Sequence, residues 1–162
     1  MSVDHSPPDA RRYVLGALSL CAAAVLLGLA PVVTDGVYTK EQADRGRVLY
    51  DGTCADCHGA KLEGGTSTAL AGSEFIASWG KPALTLDDFY YIVRKTMPKD
   101  KPGSLTRDAY TDVVAFILQQ NGFPSGEKEL TPDPELMKSV RFVSPAPPVS
   151  PSRFRFDSRT PR

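Results

Sequence analysis

The chain has 162 residues, with 19 Lys or Arg against 19 Asp or Glu and a formal net charge of zero, which gives no electrostatic basis for nucleic acid as a partner. That length sets one domain as the prior, and 27 glycines and prolines alongside 9% aromatics fit a small core with long irregular stretches. With only three cysteines and two histidines in the chain, any segment that gathers them is informative.

Residues 1–12 read as a cytoplasmic N-terminus. Residues 13–33, YVLGALSLCAAAVLLGLAPVV, carry no charge over 21 positions, and a helix of that length rises about 31 Å, the thickness of a bilayer's hydrocarbon core. Arg11 and Arg12 before it and Asp35 after it keep the N-terminus inside. A cleaved signal peptide is the competing reading. Gly28 and Ala30 offer a small-x-small pair, but Pro31 stands where the mature chain would begin and blocks cleavage. Leu20 precedes Cys21 where a lipoprotein signal wants a small residue. The expectation is an uncleaved transmembrane anchor.

Thr39 followed by Gln42 marks a helix start and a helix from about Lys40 to Tyr50. Gly46 within it points to close approach of another helix. Next comes CADCHG, residues 54–59. Cys54 and Cys57 at i and i+3 share one face of a helical turn, with Cβ atoms roughly 5–6 Å apart. Three chemistries use such a pair: a thioredoxin-type dithiol, half of a zinc site, and thioether attachment of haem with the following histidine on the iron. A dithiol does not need His58 and expects a βαβ setting that the flanking pattern lacks. Zinc lacks a fourth soft ligand, since Cys21 lies in the apolar run and His5 near the N-terminus. Haem attachment uses all three residues, so one covalent haem c is expected on Cys54 and Cys57 with His58 ligating iron. In bacteria this attachment takes place on the outer face of the cytoplasmic membrane, where a single anchor would place the motif. His5 is then left on the opposite side.

Trp79, the single tryptophan, falls in a loop-like region, and its indole N–H needs a partner if buried; a haem propionate is the cofactor-binding role expected of it. LTLDDFYYIVRKT (84–96) reads as a helix that Pro98 ends, because the residue before proline is pushed out of the helical region. Met97 is the expected sixth iron ligand, since Met137 lies in a polar, proline-flanked stretch and Met1 on the wrong side of the membrane. His/Met ligation leaves no open position and raises the reduction potential, which favours electron transfer over catalysis. Arg94, Lys95, Lys99 and Lys101 flank Met97 against one acidic residue, Asp100, and form an expected docking patch. RDAYTDVVAFILQQ (107–120) has apolar residues at helical spacing behind a Thr106 cap. From Arg141 onward five arginines face one aspartate, with proline and serine between them, the composition of an extended tail.

A helix with a mid-position glycine, CxxCHG, a long loop, a helix running into TMP and a closing helix together resemble class I c-type cytochromes. GAKLEGG, Trp79, TMPKDKPGSLT and YTDVVAFILQQNGFP look like the monohaem domains of dehydrogenase-associated and respiratory-complex cytochromes c, over roughly residues 39–124. The resemblance implies an all-α domain, haem c on Cys54 and Cys57, and His58 and Met97 as axial ligands. Many members have a proline soon after the haem motif whose carbonyl fixes the histidine. Here none occurs between His58 and Pro82, so a carbonyl near Leu70 to Gly72 is expected to replace it. The expected organisation is a cytoplasmic N-terminus (1–12), anchor (13–33), haem domain (36–125) and extended Pro/Arg-rich tail (126–162). The function expected is that of a non-enzymatic single-electron carrier with redox-protein partners, in a respiratory, photosynthetic or dehydrogenase membrane complex, its haem domain on the periplasmic side. A haem enzyme or gas sensor with an open sixth position is one alternative. A mainly structural subunit is the other.

Overall fold

The computed structural model describes residues 31–142. Residues 1–30 of the expected N-terminus and anchor and residues 143–162 of the expected tail lie outside the described residues. Within those described, no helix is long and apolar enough to cross a membrane.

Among the described residues six helices follow a single 3-10 turn at Val33–Asp35: α1 Lys40–Thr53, α2 Ala55–His58, α3 Ser73–Trp79, α4 Leu86–Thr96, α5 Arg107–Gln120 and α6 Pro134–Ser139. Among the described residues there is no β-strand, only two single-residue backbone bridges at Arg141, to Val32 and to Thr85. The three long helices begin where the sequence places threonine caps. Thr39 Oγ1 accepts from Gln42 N–H at 3.2 Å and Thr106 Oγ1 from Ala109 N–H at 3.1 Å. Thr85 and Asp88 cap each other reciprocally, at 3.3 and 2.8 Å. Each such cap satisfies amides that have no partner inside the helix and contributes about 1 kcal/mol.

The frame of the domain is the packing of α1 against α5. Gly46 makes it feasible: a Cβ there would lie 1.8 Å from the Asp112 carbonyl oxygen, so any side chain forces the helices apart. Beside the crossing, Arg45 grips both Asp112 carboxylate oxygens at 3.0 Å and reaches Glu129 at 2.9 Å. From Tyr110 to Leu118 every residue of α5 is buried, more than one helical face, because α1 and α4 both pack against it.

The domain extends beyond its expected limits of 36 and 125 at both ends. Pro31 to Val33 were counted with the apolar run, yet they are not α-helical and belong to this domain. Pro31 O accepts from Arg141 N–H at 3.0 Å, Val33 N–H donates to Arg141 O at 3.1 Å, and Val33 is fully buried. Residues 126–142, read as the start of an extended tail, are likewise built in. The buried Gln42 side chain bonds both backbone groups of Leu130, at 2.9 and 2.8 Å. α6 buries Met137 completely, and Phe142 packs its ring 5.8–6.1 Å from Phe89, Phe123, Phe75 and Trp79. Burying side chains of this size stabilises by roughly 2 kcal/mol each. The high Pro and charge content of 126–140 disguised the few apolar residues that close the core.

Candidate haem site

The haem motif forms one tight turn on the end of α1. Cys54 N–H bonds Tyr50 O at 2.8 Å, and His58 N–H bonds Cys54 O at 3.0 Å. Both Cys54 and Cys57 are free thiols, Cys54 half-buried and Cys57 exposed. Burial, chiefly, and the neighbouring Cys57 push the Cys54 thiol up, against a hydrogen bond from Thr53 that lowers it. A nucleophilic dithiol needs the opposite shift. Among the described residues no group of three His, Cys, Asp or Glu side chains converges as a metal-ion site.

His58 is buried, 7% exposed, and its Nδ1 lies 2.8 Å from the carbonyl oxygen of Thr68. A neutral imidazole so held carries its proton on Nδ1 and directs the Nε2 lone pair outward, the arrangement of a metal-bound histidine with an outer-shell acceptor. The expected carbonyl at Leu70 to Gly72 is therefore replaced by one slightly earlier in the chain. The reason is visible at Asn121, whose Nδ2 occupies Leu70 O at 2.9 Å while its Oδ1 accepts from Gly72 N–H at 3.0 Å. In the sequence Asn121 is no more than the residue that follows a helical pattern.

The loop from Gly59 to Gly72 is heavily cross-linked. Gly64 N–H reaches His58 O at 2.8 Å, Ser67 N–H reaches Cys57 O at 3.0 Å, and Leu70 and Ala71 both donate to Leu62 O. Leu62 holds φ +59°, a left-handed conformation that costs a non-glycine residue about 1–2 kcal/mol. Its side chain is fully buried, which offsets that strain. Gly59 itself sits at φ +83°, and a Cβ there would strike Glu63.

Met97 ends α4 in extended conformation, φ −123° and ψ 153°, as the following proline requires. Its carbonyl accepts the Tyr110 hydroxyl at 2.7 Å. On the histidine side Tyr50 plays the matching part, donating to Gly59 O at 2.8 Å. Burial, first, then Cys54 and nearby carboxylates push the Tyr50 hydroxyl well above the ordinary tyrosine range, so it stays a donor at working pH. Tyr50 and Tyr110 sit on the two crossing helices, and each holds the backbone beside one candidate ligand. Neither was singled out from sequence as more than core, because a tyrosine's hydroxyl partner cannot be read from helical spacing.

Trp79 lies at the end of α3, not in a loop. Gly72 and Gly80 bracket a helix too short to show periodicity. Its ring packs 4.8 Å from Phe89. Its indole N–H makes no hydrogen bond among the described residues and is not a buried, unpartnered atom; the structure sets Trp79 in the aromatic cluster.

A helical domain with a CxxCH turn, an oriented histidine and a methionine at the end of a later helix defines a class: the chain is a class I monohaem c-type cytochrome, with covalently bound haem c. Residues 41–117 match the model of a family described as cytochrome c oxidase, cbb3-type, subunit III. Among solved structures the chain is similar to the sulfane dehydrogenase SoxCD from Paracoccus pantotrophus, with 23% identity and a TM-score of 0.49, covering 99% of this chain and 79% of that one. Among curated proteins nothing matches. The domain is an electron carrier.

Proposed function

We propose that this chain is a membrane-anchored single-electron carrier, a subunit of a respiratory or photosynthetic complex of the bacterial cytoplasmic membrane, with its haem domain on the periplasmic side. Cys54 and Cys57 hold the haem by thioethers. His58 offers Nε2 and Met97 its thioether sulfur to the iron, and the Trp79 indole N–H is a donor for a propionate. Bound haem c supplies a one-electron couple. The protein's part is to fix both ligands so that no coordination position opens to substrate. The observation that supports the carrier part of this reading is the 2.8 Å contact of His58 Nδ1 with Thr68 O, which leaves Nε2 free for the iron. The anchor is supported by the uncharged run 13–33, whose residues to Ala30 precede the folded domain.

Two measurements test it. Absorption spectra of the reduced protein should be low-spin and six-coordinate; a high-spin spectrum would replace the carrier by a haem enzyme or gas sensor. Alkaline extraction of membranes should leave the full chain in the pellet and release a version lacking residues 1–30.

A further inference from the structure

Between α4, the start of α5 and the start of α6 lies a cleft of about 60 Å³, lined by Asp87, Tyr90, Tyr91, Arg94, Arg107 and Pro132 among others. Asp87, Tyr90, Tyr91 and Arg94 stand at i, i+3, i+4 and i+7, one stripe of α4. Arg94 Nε is the one buried side-chain nitrogen or oxygen among the described residues that lacks a hydrogen-bond partner. Its guanidinium carbon stands 5.9 Å from the Tyr90 ring centre, and the Tyr90 hydroxyl points to Arg107 O at 3.4 Å. Neither arginine makes a salt bridge among the described residues, nor does Asp87. Two guanidinium groups thus line a small cleft against one carboxylate.

We propose that this cleft receives a side-chain carboxylate from an acidic, apolar segment of a partner protein. The volume excludes large ligands, since pockets for drug-sized molecules run to roughly 300–1,000 Å³. A guanidinium fork with an unused Nε–H matches a carboxylate approaching side-on, and Arg94 is among the residues that line the cleft. The surround selects a protein over a free anion. Tyr91, which lines the cleft, is 52% exposed, and Pro132 and Pro134 line it from the start of α6. An inorganic ion gains nothing from such a rim, whereas the residues flanking a glutamate or aspartate bury against it. Aromatic and arginine side chains together are the composition of interface anchors.

The test follows the Arg94 and Arg107 Nε–H resonances of ¹⁵N-labelled, detergent-solubilised full-length holoprotein. The probes are an end-blocked peptide alternating leucine and glutamate, its leucine–glutamine counterpart, inorganic phosphate, and phosphatidylglycerol vesicles. The glutamate peptide should shift both resonances saturably and bind about tenfold more tightly than the glutamine peptide. Arg94→Lys, which keeps the charge but loses the fork, should weaken it about fivefold; Tyr91→Ser should weaken it while leaving the phosphate response unchanged. Equal binding of the two peptides, phosphate binding as tight as the glutamate peptide, or a response to vesicles alone would each overturn the proposal. None of these outcomes depends on which residues ligate the iron.

Discussion

The loops that follow His58 and Met97 are both irregular and both carry glycines, yet they are held in different ways. The first is tied from three directions: backbone bonds within the loop, Tyr50 from α1 at Gly59 O, and Asn121 from the end of α5 at Leu70 O and Gly72 N–H. The buried Leu62 pins its centre. The second closes mainly on itself, through Lys101 N–H to Pro98 O at 2.9 Å and Ser104 N–H to Lys101 O at 3.2 Å, and residues 99–104 are all exposed. From the helices it receives one strong hydrogen bond, that of Tyr110 to Met97 O. The histidine side is over-determined and the methionine side rests on a single tyrosine. Local stability should differ accordingly, with the methionine loop opening first.

The most drastic way to break this comparison is to remove the covalent tether. Replacing both Cys54 and Cys57 by Ala should leave no acid-resistant haem, as measured by acid–acetone extraction followed by absorption; retention of fully bound haem would refute attachment at these residues. The next largest effect belongs to Met97→Ala. That variant should admit exogenous ligands and lower the reduction potential, with the covalent haem retained. If spectra and potential stay as in the wild type, the sixth ligand is another residue, and the exposed Lys99 or Lys101 becomes the candidate. Met137 does not, because it is fully buried in the core beneath α6.

A finer test sets Tyr110→Phe beside Tyr50→Phe. Each removes one hydroxyl and takes from a backbone carbonyl one of its two donors, at a cost of about 1 kcal/mol in global stability. The costs should be similar, since both residues are buried at 1% exposure or less. The spectroscopic consequences should not be. Tyr110→Phe should lose the methionine-to-iron absorption at a lower temperature than it loses secondary structure. In Tyr50→Phe the two should disappear together, because the cross-links within the 59–72 loop remain. If both variants lose that absorption early, the asymmetry between the loops is not real.

The two sides also differ in how far they could be read from sequence. The three long helices, the Thr39 and Thr106 caps, the Gly46 crossing and the CxxCH turn were legible because each rests on local chemistry: a hydroxyl three residues from an amide, a missing Cβ, a fixed ligand spacing. The backbone groups that orient the site were not. Thr68 supplies its carbonyl, which every residue has, and only the tertiary fold decides whether Thr68 or Leu70 is free to accept. The C-terminal closure by Leu130, Met137 and Phe142 was hidden for another reason. Three isolated apolar residues in a proline-rich, charged stretch show no periodicity, and their burial depends on neighbours 30 or more residues earlier, Gln42, Phe75 and Phe89 among them.

The smallest effect expected tests what the exposure of the methionine loop is for. Lys99 and Lys101 are exposed, and neither forms a salt bridge among the described residues. Lys95, also exposed, lies against the Tyr91 ring at 6.0 Å, whereas Arg94 is turned into its cleft and leaves the patch. What remains is a cluster of three lysines opposed by Asp100, small in charge but placed beside the loop that carries Met97. Such charge raises encounter rates with an acidic partner more than it sets affinity, and salt screens it over about 8 Å at physiological ionic strength. Changing both Lys99 and Lys101 to Glu should therefore slow electron transfer at low salt, and the difference should shrink as salt rises. The haem potential should barely move, because exposed charges are screened by water. Stopped-flow rates across a salt series decide the matter: equal rates for variant and wild type at every salt concentration would mean that electrons do not leave over the methionine loop. A potential that shifts with the rate would instead mean that the lysines act on the iron and not on the partner.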